Sequence, residues 1–236
     1  MFKQFGQFGA GSFTEGLGRT GSKGAAVAQS GQLDALVALE RIGSRRSFSR
    51  DEEIYAEGDP SDGWYQVVSG TVRISKLLAD GRRHIAEFCF GGDCFGLDNA
   101  SERVFSAEAV GEVIVMRYPR RATERVIDDN PQLARRLCKM TLGDLAHAQT
   151  HMLLLGRMTA PERVASFLLE MSERRDARRA LDLPMSRTDI ADYLGLTIET
   201  VCRVLSSFKR AGAIAIPSPQ RIELRDRGAL EAVGAA

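Results

Sequence analysis

Several features that would place this 236-residue sequence in a familiar class are missing. No apolar run approaches the roughly 20 residues that a transmembrane helix needs, and the N-terminus has no secretory leader pattern. We therefore expect a cytoplasmic protein with no membrane partner. The four cysteines form no Cys-x-x-Cys pair, so no metal site is expected. No nucleophile–base grouping or phosphate loop is present either, and we do not expect an enzyme.

Charge of one sign is also lacking, because 32 Lys and Arg residues nearly balance 31 Asp and Glu residues. A formal net charge of +1 is unusual for a protein that binds nucleic acid. The distribution of the charges is more informative than their sum. Between Arg203 and Arg227 there are six cationic residues and only two acidic ones. Positive charge thus collects near the C-terminus, where it can contact phosphates.

Residues 1–30 are rich in Gly, Ser, Ala and Gln, and they contain isolated Phe residues. No apolar period of 2 or 3.6 persists in this segment, so we interpret it as a flexible arm. The Phe side chains leave docking on a partner as an alternative.

Residues 31–128 are interpreted as a sensor-like domain made mainly of β-strands. Residues 33–42 have the spacing of a short amphipathic helix, and after them β-rich runs alternate with turn signals about every ten residues. Many short strands of this kind predict a small antiparallel barrel or jelly roll. The strand candidates are Trp64–Val68, Thr71–Ile74, His84–Phe88 and Val113–Met116.

Residues 129–157 have the pattern of one long helix, opened by Asn130 and Pro131 and roughly 40 Å in length. Six positions in it follow the 3,4 spacing of a coiled-coil seam, which predicts a homodimer. A second stripe of Leu133, Leu137 and Met140 suits packing against the β-domain, although one wide core face in a monomer is the alternative. The predicted dimer contacts are Cys138, Thr141, Leu145, Ala148, Met152 and Leu155.

Residues 158–236 are predicted to form a DNA-binding domain. Ser186 has the character of an N-cap, with Asp189 three residues later as a short variant of the capping box. Gly195 follows at the tight turn, and Thr197 or Ile198 begins a second helix. The spacing of small and apolar residues across this stretch is typical of a helix-turn-helix, with an ordinary helical hairpin as the alternative.

Two strands after the second helix are predicted to form the wing of a winged helix-turn-helix. Residues 213–216 and 221–224 flank Pro217 to Gln220, and Gly212 ends the helix before them. The whole chain is therefore predicted to be α+β, with a β-domain, a long dimerisation helix and a winged helix-turn-helix.

Base contacts are predicted for the outward face of the second helix. Arg203 can donate two parallel hydrogen bonds to guanine, while Glu199 can accept from cytosine or adenine. An i,i+4 ion pair between these two residues is the competing interpretation. Contacts with phosphate, which set register on the duplex, are predicted for Ser186, Arg187, Thr197, Thr200, Lys209, Arg210 and Arg221.

With these motifs in hand, the chain resembles the CRP/FNR family of bacterial transcription factors. Residues 54–59 and 65–72 are similar to the cyclic-nucleotide-binding fold, and residues 183–203 resemble the FNR and FixK branches. The branch carries Glu, Ser and Arg at its base-facing positions, where this chain has Glu199, Cys202 and Arg203. The resemblance implies a palindrome of TTGAT, four arbitrary base pairs and ATCAA, read by a homodimer.

Cys202 departs from the family pattern. A thiol is a weaker donor than a hydroxyl, and its oxidation at the DNA surface would block binding. Cys202 is thus a possible redox control point, with a tolerated small residue as the alternative.

The resemblance also indicates which cofactors to expect. The Gly-Glu and Arg-Ser-Ala groups of cyclic AMP binders correspond here to Gly96-Leu97 and Phe105-Ser106-Ala107, so we expect no cyclic nucleotide. The N-terminal cysteine group of FNR-type iron–sulfur proteins is missing, which favours the FixK-like branch and a protein without a cofactor. A haem sensor using His84, His147 or His151 remains an alternative.

These predictions describe an activator of low-oxygen or nitrogen-fixation genes that binds DNA as a homodimer. The alternatives are a ligand-gated sensor of the same family and a regulatory module that does not bind DNA. By analogy, RNA polymerase would contact the turn at residues 78–83 or the charged loop at residues 174–182.

Overall fold

The computed structural model describes residues 39–98, 100–175, 177 and 179–234. The predicted arm at residues 1–30 lies outside these ranges. Residues 39–42 are helical, and the beginning of the helix predicted at residues 33–42 also lies outside.

Eight strands make up the β-domain, in line with the short β-rich runs of the sequence. The four predicted strands are confirmed, and four shorter strands join them. The strands are β1 (Ser44–Phe48), β2 (Glu53–Tyr55), β3 (Gly63–Ser69), β4 (Val72–Leu77), β5 (Arg83–Cys89), β6 (Cys94–Phe95), β7 (Ser106–Ala109) and β8 (Val113–Pro119).

The strands form two separate four-stranded sheets with orders β1-β8-β3-β6 and β2-β7-β4-β5. The jelly-roll prediction is therefore correct in type, while a closed barrel is not formed. In the first sheet Trp64 pairs with Tyr118 and Val67 pairs with Val115, in antiparallel register. Buried residues of both sheets, among them Val67, Val115 and Val72, face the space between the sheets, as in a two-sheet sandwich.

Two apolar clusters stabilise this domain. The larger one lies between the sheets and includes Tyr65, Val72 and Val115. The second contains Trp64, whose ring stacks on Tyr118 with centroids 4.2 Å apart. The indole N–H donates to the Thr123 hydroxyl at 3.1 Å, which satisfies its only polar atom.

Two helices follow β8. Helix α1 (Arg120–Asp129) lies in the part of the chain that sequence reasoning assigned to no element, while α2 (Pro131–Arg157) confirms the long helix. Leu133 is buried in the Trp64 cluster and Leu137 packs against it, as the second stripe predicted.

The C-terminal part contains α3 (Ala160–Arg174), β9 (Ala180–Asp182), α4 (Arg187–Leu194), α5 (Ile198–Arg210), β10 (Ile214–Ser218), β11 (Arg221–Leu224) and α6 (Arg227–Gly234). Strands β10 and β11 confirm the wing. The charged loop predicted at residues 174–182 is wrong at its C-terminal end, where residues 180–182 pair with β11, while Arg174 is the last residue of α3. Strand β9 carries Leu181 into the core, so burial rather than charge decides its conformation.

Two compact units emerge from the described residues. One contains residues 39–74 and 88–146, and the other contains residues 75–87 and 147–234. The tip of the β4–β5 hairpin thus belongs with the C-terminal helices.

Candidate nucleic-acid interface

The N-terminus of α4 is capped as the sequence predicted. The Ser186 side chain accepts from the backbone N–H of Asp189 at 3.0 Å, and the Asp189 carboxylate accepts from the backbone N–H of Ser186 at 2.9 Å. Ser186 also donates its hydroxyl proton to Asp189, so this group is engaged within its own helix. To contact a phosphate as predicted, the Ser186 hydroxyl would therefore have to keep or exchange its hydrogen bonds with Asp189.

Gly195 forms the turn between α4 and α5. It adopts φ 61° and ψ 40°, the left-handed conformation that favours glycine. Its N–H and that of Leu196 both donate to the carbonyl of Ala191, which closes the end of α4. Thr197 is then the N-cap of α5 and accepts from the N–H of Thr200 at 3.3 Å.

Helix α5 divides cleanly into two faces. Val201, Val204, Leu205 and Phe208 are buried in the domain core, as predicted. Glu199, Cys202 and Arg203 are exposed on the other side. A helix with a buried apolar face and an exposed polar face of this kind can lie in a major groove with its exposed side chains at the base edges.

Glu199 is held ionised at neutral pH. Its own backbone N–H and then the Thr197 hydroxyl hold the pKa of the carboxyl below its usual range. An ionised carboxylate only accepts hydrogen bonds, which suits cytosine N4 or adenine N6. Within the described part of the chain Glu199 forms no ion pair with Arg203, so the competing i,i+4 pair is not formed.

Some of the side chains predicted to contact phosphate are exposed, and others form hydrogen bonds or ion pairs within the protein. Lys209 and Arg210 are exposed in the last turn of α5. Arg187 is half-buried, donates to the Pro219 carbonyl of the wing at 2.8 Å and lies close enough to Cys202 for electrostatic interaction. Burial lowers the pKa of Arg187 from its ordinary value.

Two further predicted phosphate contacts have partners of their own. Arg221 forms an ion pair with Asp182 of β9 at 3.3 Å. Thr200 is half-buried, and its hydroxyl lies 3.2 Å from that of Thr197. Reaching phosphates would require each of these side chains to share or exchange its present contact.

Sequence reasoning missed an ion pair that holds α4. Arg83, at the start of β5, pairs with Asp189 at 2.5 Å and with Asp192 at 2.8 Å. Asp189 is buried at the capped N-terminus of α4, so Arg83 compensates a carboxylate charge inside the protein. No local pattern signals a pairing across more than 100 residues.

The predicted dimer seam on α2 is mostly exposed. Leu145 retains 54% and Met152 retains 66% of its accessible surface. Leu142 and Leu153, beside the predicted line, are exposed to 60% and 62%, so the apolar face is wider than the spacing indicated. Of the other predicted positions, Leu155 is half-buried, whereas Cys138, Thr141 and Ala148 are exposed.

The interior of the β-domain contains a buried arginine. The Arg103 guanidinium lies 4.3 Å from the Tyr55 ring centroid, donates to the Gly96 carbonyl at 2.7 Å and pairs with Asp98 at 2.9 Å. It also donates to the Gly63 carbonyl. A Cβ at Gly96 would lie 2.8 Å from Nη1 of Arg103. The segment that corresponds to the Gly-Glu pair of cyclic AMP binders is thus tightly bound to the protein's own cation.

The candidate haem ligands have protein contacts. His147 lies 3.7 Å from the Glu170 carboxylate and 3.5 Å from the Tyr193 hydroxyl. His151 is buried and stacks on the Tyr193 ring with centroids 4.2 Å apart. Burial first, and then the neighbouring charges of His147 and His84, lower the pKa of His151 to about 4.

The described residues also bear on metal-binding and membrane proteins. No group of three or more His, Cys, Asp or Glu side chains among them has the arrangement of a metal site. None of the helices in the same ranges combines the length and apolarity needed to cross a membrane.

Comparisons with known proteins cover both units. A cyclic nucleotide-binding domain model matches residues 45–130, and a Crp-like helix-turn-helix domain model matches residues 162–233. The nitrogen fixation regulation protein FixK of Azorhizobium caulinodans is 44% identical over 214 residues, covering 89% of this chain and 86% of that protein. The FixK of Bradyrhizobium diazoefficiens is 44% identical over 86% of this chain and 88% of its own. The structure of FixK2 from Bradyrhizobium japonicum matches with a TM-score of 0.79 at 47% identity, over 83% of this chain and 98% of that one.

Proposed function

We propose that this chain, which belongs to the FixK-like branch of the CRP/FNR family of transcription regulators, reads a palindromic DNA site as a homodimer. The protein is a DNA-binding transcription regulator, and the names of its relatives point to nitrogen-fixation genes. We propose that it activates such genes or genes of low-oxygen metabolism. The observation that carries the proposal is the exposed face of α5 with Glu199, Cys202 and Arg203.

Each of these side chains has a defined part in the proposal. Arg203 donates to guanine O6 and N7, and Glu199 accepts from the amino group of cytosine or adenine. Cys202, between them on the helix surface, contacts thymine methyl groups or a neighbouring base edge. The site is then of the TTGAT and ATCAA type, with four base pairs between the half-sites.

Phosphate contacts supply affinity and register. The exposed Lys209 and Arg210 are the strongest candidates, while Arg187 can reach a phosphate and remain on the wing. Ser186, Thr197 and Thr200 lie at helix N-termini, where backbone N–H groups favour an anion. Arg221 contributes if phosphate replaces Asp182.

Homodimerisation is supported by the exposed apolar face of α2. Leu142, Leu145, Met152 and Leu153 form a larger apolar surface than a helix normally leaves in water. A second copy packed along this face would bury all four leucine and methionine side chains. It would also bring Cys138, Thr141, Ala148 and Leu155 near the two-fold axis.

We propose the following roles for the segments: an arm at 1–30, a sensor-like domain at 31–128, a dimerisation helix at 129–157 and a DNA-binding domain at 158–236. The protein acts in the cytoplasm, where its DNA is, and it regulates rather than catalyses. For activation, RNA polymerase would contact the exposed turn at residues 79–82. Arg83 at the end of that turn is occupied by Asp189 and Asp192.

We propose no cyclic nucleotide, because Leu97 and Phe105 stand where cyclic AMP binders carry Glu and Arg, and Arg103 binds the Gly96 carbonyl and Asp98 of its own chain. Control by oxidation at Cys202 is a second candidate, favoured by the exposure of the thiol. Reaction with a peroxide would convert the thiol to sulfenic acid and release water, placing a polar group where DNA docks.

The proposal is tested by measuring the affinity of the full chain for the palindrome and for a scrambled duplex at fixed salt. We expect Arg203→Ala to lower specific affinity by about 100-fold, since both half-sites lose a bidentate contact. Arg45→Ala removes an exposed arginine of β1, outside the helix-turn-helix, and is the matched control that should change affinity little. Unchanged preference for the palindrome in Arg203→Ala would contradict the assignment.

Dimerisation is tested by sedimentation of the Leu145→Glu, Met152→Glu double variant. We expect a monomer with much weaker palindrome binding, because four like charges would meet at the dimer face. Leu77→Glu, at a leucine exposed to 67% on the β4–β5 hairpin, is the control. A double variant that stays dimeric would place the interface elsewhere.

A further inference from the structure

One side chain joins the C-terminal ends of two helices near the DNA-reading turn. Arg163 lies in the first turn of α3 and is half-buried. Its Nη2 donates to the Leu155 carbonyl at 2.8 Å and its Nε donates to the Met158 carbonyl at 2.9 Å. Its Nη1 donates to the Leu194 carbonyl at 2.9 Å. The Leu155 carbonyl belongs to the last turn of α2, the Met158 carbonyl to the connection that follows it, and the Leu194 carbonyl to the end of α4.

The C-terminal end of a helix needs a hydrogen-bond donor from outside the helix. The last carbonyls of a helix have no N–H of their own helix to accept from, and they carry the negative end of the helix dipole. A guanidinium offers several N–H groups in a rigid plane, so it can satisfy two helix ends at once. A lysine ammonium keeps the charge but lacks this fixed geometry.

The connection between α2 and α3, next to Arg163, is short and constrained. Only Met158 and Thr159 separate α2 from α3, and Thr159 is held by a capping box in which its N–H donates to Glu162 at 2.6 Å. A Cβ placed on Gly195 would lie 3.4 Å from Nη1 of Arg163 and 3.5 Å from the Leu155 side chain. The turn of the helix-turn-helix therefore rests against the end of the long helix.

We propose that Arg163 is a positioning residue that sets the spacing between the two DNA half-sites. This inference rests on the proposed homodimer. If α2 forms the dimer axis, the angle between α2 and α4 determines the distance and rotation between the two recognition helices. Half-sites one turn apart are separated by about 34–36 Å and 10–10.5 base pairs. One added base pair thus moves a half-site by about 3.4 Å and rotates it by about 35°.

The prediction distinguishes positioning from base reading. If the angle between α2 and α4 is rigid, both recognition helices can bind only a palindrome of one spacing. If the angle is loosened, the dimer also binds palindromes of neighbouring spacings, and it binds the preferred one less tightly. The side-chain hydrogen bonds of Arg163 go to Leu155, Met158 and Leu194, none of which belongs to α5, so contacts with an isolated half-site should be retained.

The experiment measures the affinity of the full chain for palindromes with three, four or five central base pairs and for a single half-site. We expect the unsubstituted protein to prefer one spacing by at least about tenfold. In Arg163→Gln this ratio should fall below about threefold, while half-site affinity changes less than about twofold. Arg163→Lys should fall between them. Arg227→Gln is the matched control, because this half-buried arginine binds Ser172 and Glu173 away from the α2–α4 junction.

Each outcome has a clear meaning. Spacing selectivity that is the same in Arg163→Gln, Arg163→Lys and the unsubstituted protein would overturn the inference. If Arg163→Gln fails to fold, as judged by circular dichroism and loss of half-site binding, Arg163→Lys decides the question. A parent protein that binds as a monomer or without spacing preference would instead contradict the proposed homodimer.

Discussion

The interior of the β-domain and the surface of the recognition helix use the same kind of side chain in opposite ways. Arg103 is enclosed by carbonyls, a carboxylate and aromatic rings of its own chain. Arg203 is exposed on α5, where we propose that it contacts a base. A buried charge must be satisfied internally or it destabilises the fold, whereas an exposed charge stays available to a partner. Burial therefore separates the residues that stabilise this protein from those proposed to read DNA.

The largest effect is expected for Arg103→Met. This change removes a buried cation and leaves the Asp98 carboxylate and the Gly96 carbonyl without their donor, so unfolding free energy should fall by about 3 kcal/mol. Denaturant unfolding measures it. Arg82→Met, which removes a solvent-exposed ion pair with Asp80, is the control. If Arg103→Met is as stable as the control, the contrast between interior and surface charge fails.

The buried His151 tests whether burial also makes a charged group costly outside the β-domain. Its pKa is lowered from 6.5 to about 4, so on acidification the unfolded chain takes up a proton before the folded protein does. Above about pH 6.5 the histidine is neutral in both states and does not lower the free energy of unfolding. As the pH falls from 6.5 toward 4, protonation of the unfolded chain lowers the free energy of unfolding. Between pH 7.5 and 5, we expect the free energy of unfolding to fall by about 2 kcal/mol more in the unsubstituted protein than in His151→Phe.

Unfolding in urea at the two pH values measures this difference. The groups that face His151 and oppose its protonation are His147, His84 and Arg163. An equal loss of stability in the protein and in His151→Phe would show that His151 is not protonated differently in the folded state.

At the recognition helix the expected effects fall on binding instead. Glu199→Gln keeps the shape of the side chain but replaces one acceptor oxygen with a donor, so it should weaken palindrome binding by about tenfold. The loss should be concentrated at the base pair that Glu199 reads, as measured with single-base variants of the site. Stability should stay close to that of the parent, since Glu199 is exposed. A uniform loss across all base pairs would assign Glu199 a role other than base reading.

The smallest effect is expected for Cys202→Ser. A hydroxyl of similar size should change affinity under reducing conditions by less than about threefold. After peroxide treatment, binding by the parent should drop and be restored by a thiol reductant, while the serine variant remains active. Cys138→Ser, at another exposed cysteine, is the control. A parent protein that binds equally well before and after oxidation would remove Cys202 from regulation.

The helix-turn-helix was predictable because its signals are local. The capping box at Ser186, the left-handed turn at Gly195 and the buried positions of α5 each depend on residues a few places apart. The strands with strong β-propensity were predictable for the same reason. Helix α1 and strand β9 were missed, since charge dominates the sequence around them and only tertiary burial of Thr123 and Leu181 reveals their packing.

The sequence alone determined the long helix, the position of the turn at Gly195 and the residues on the outward face of α5. Their spacing dictates helix geometry without reference to distant parts of the chain. Only the tertiary structure decided the environments of Arg83, Arg103 and Arg163. Each of these side chains finds partners on other elements, and such partners become neighbours only when hydrophobic packing has brought those elements together.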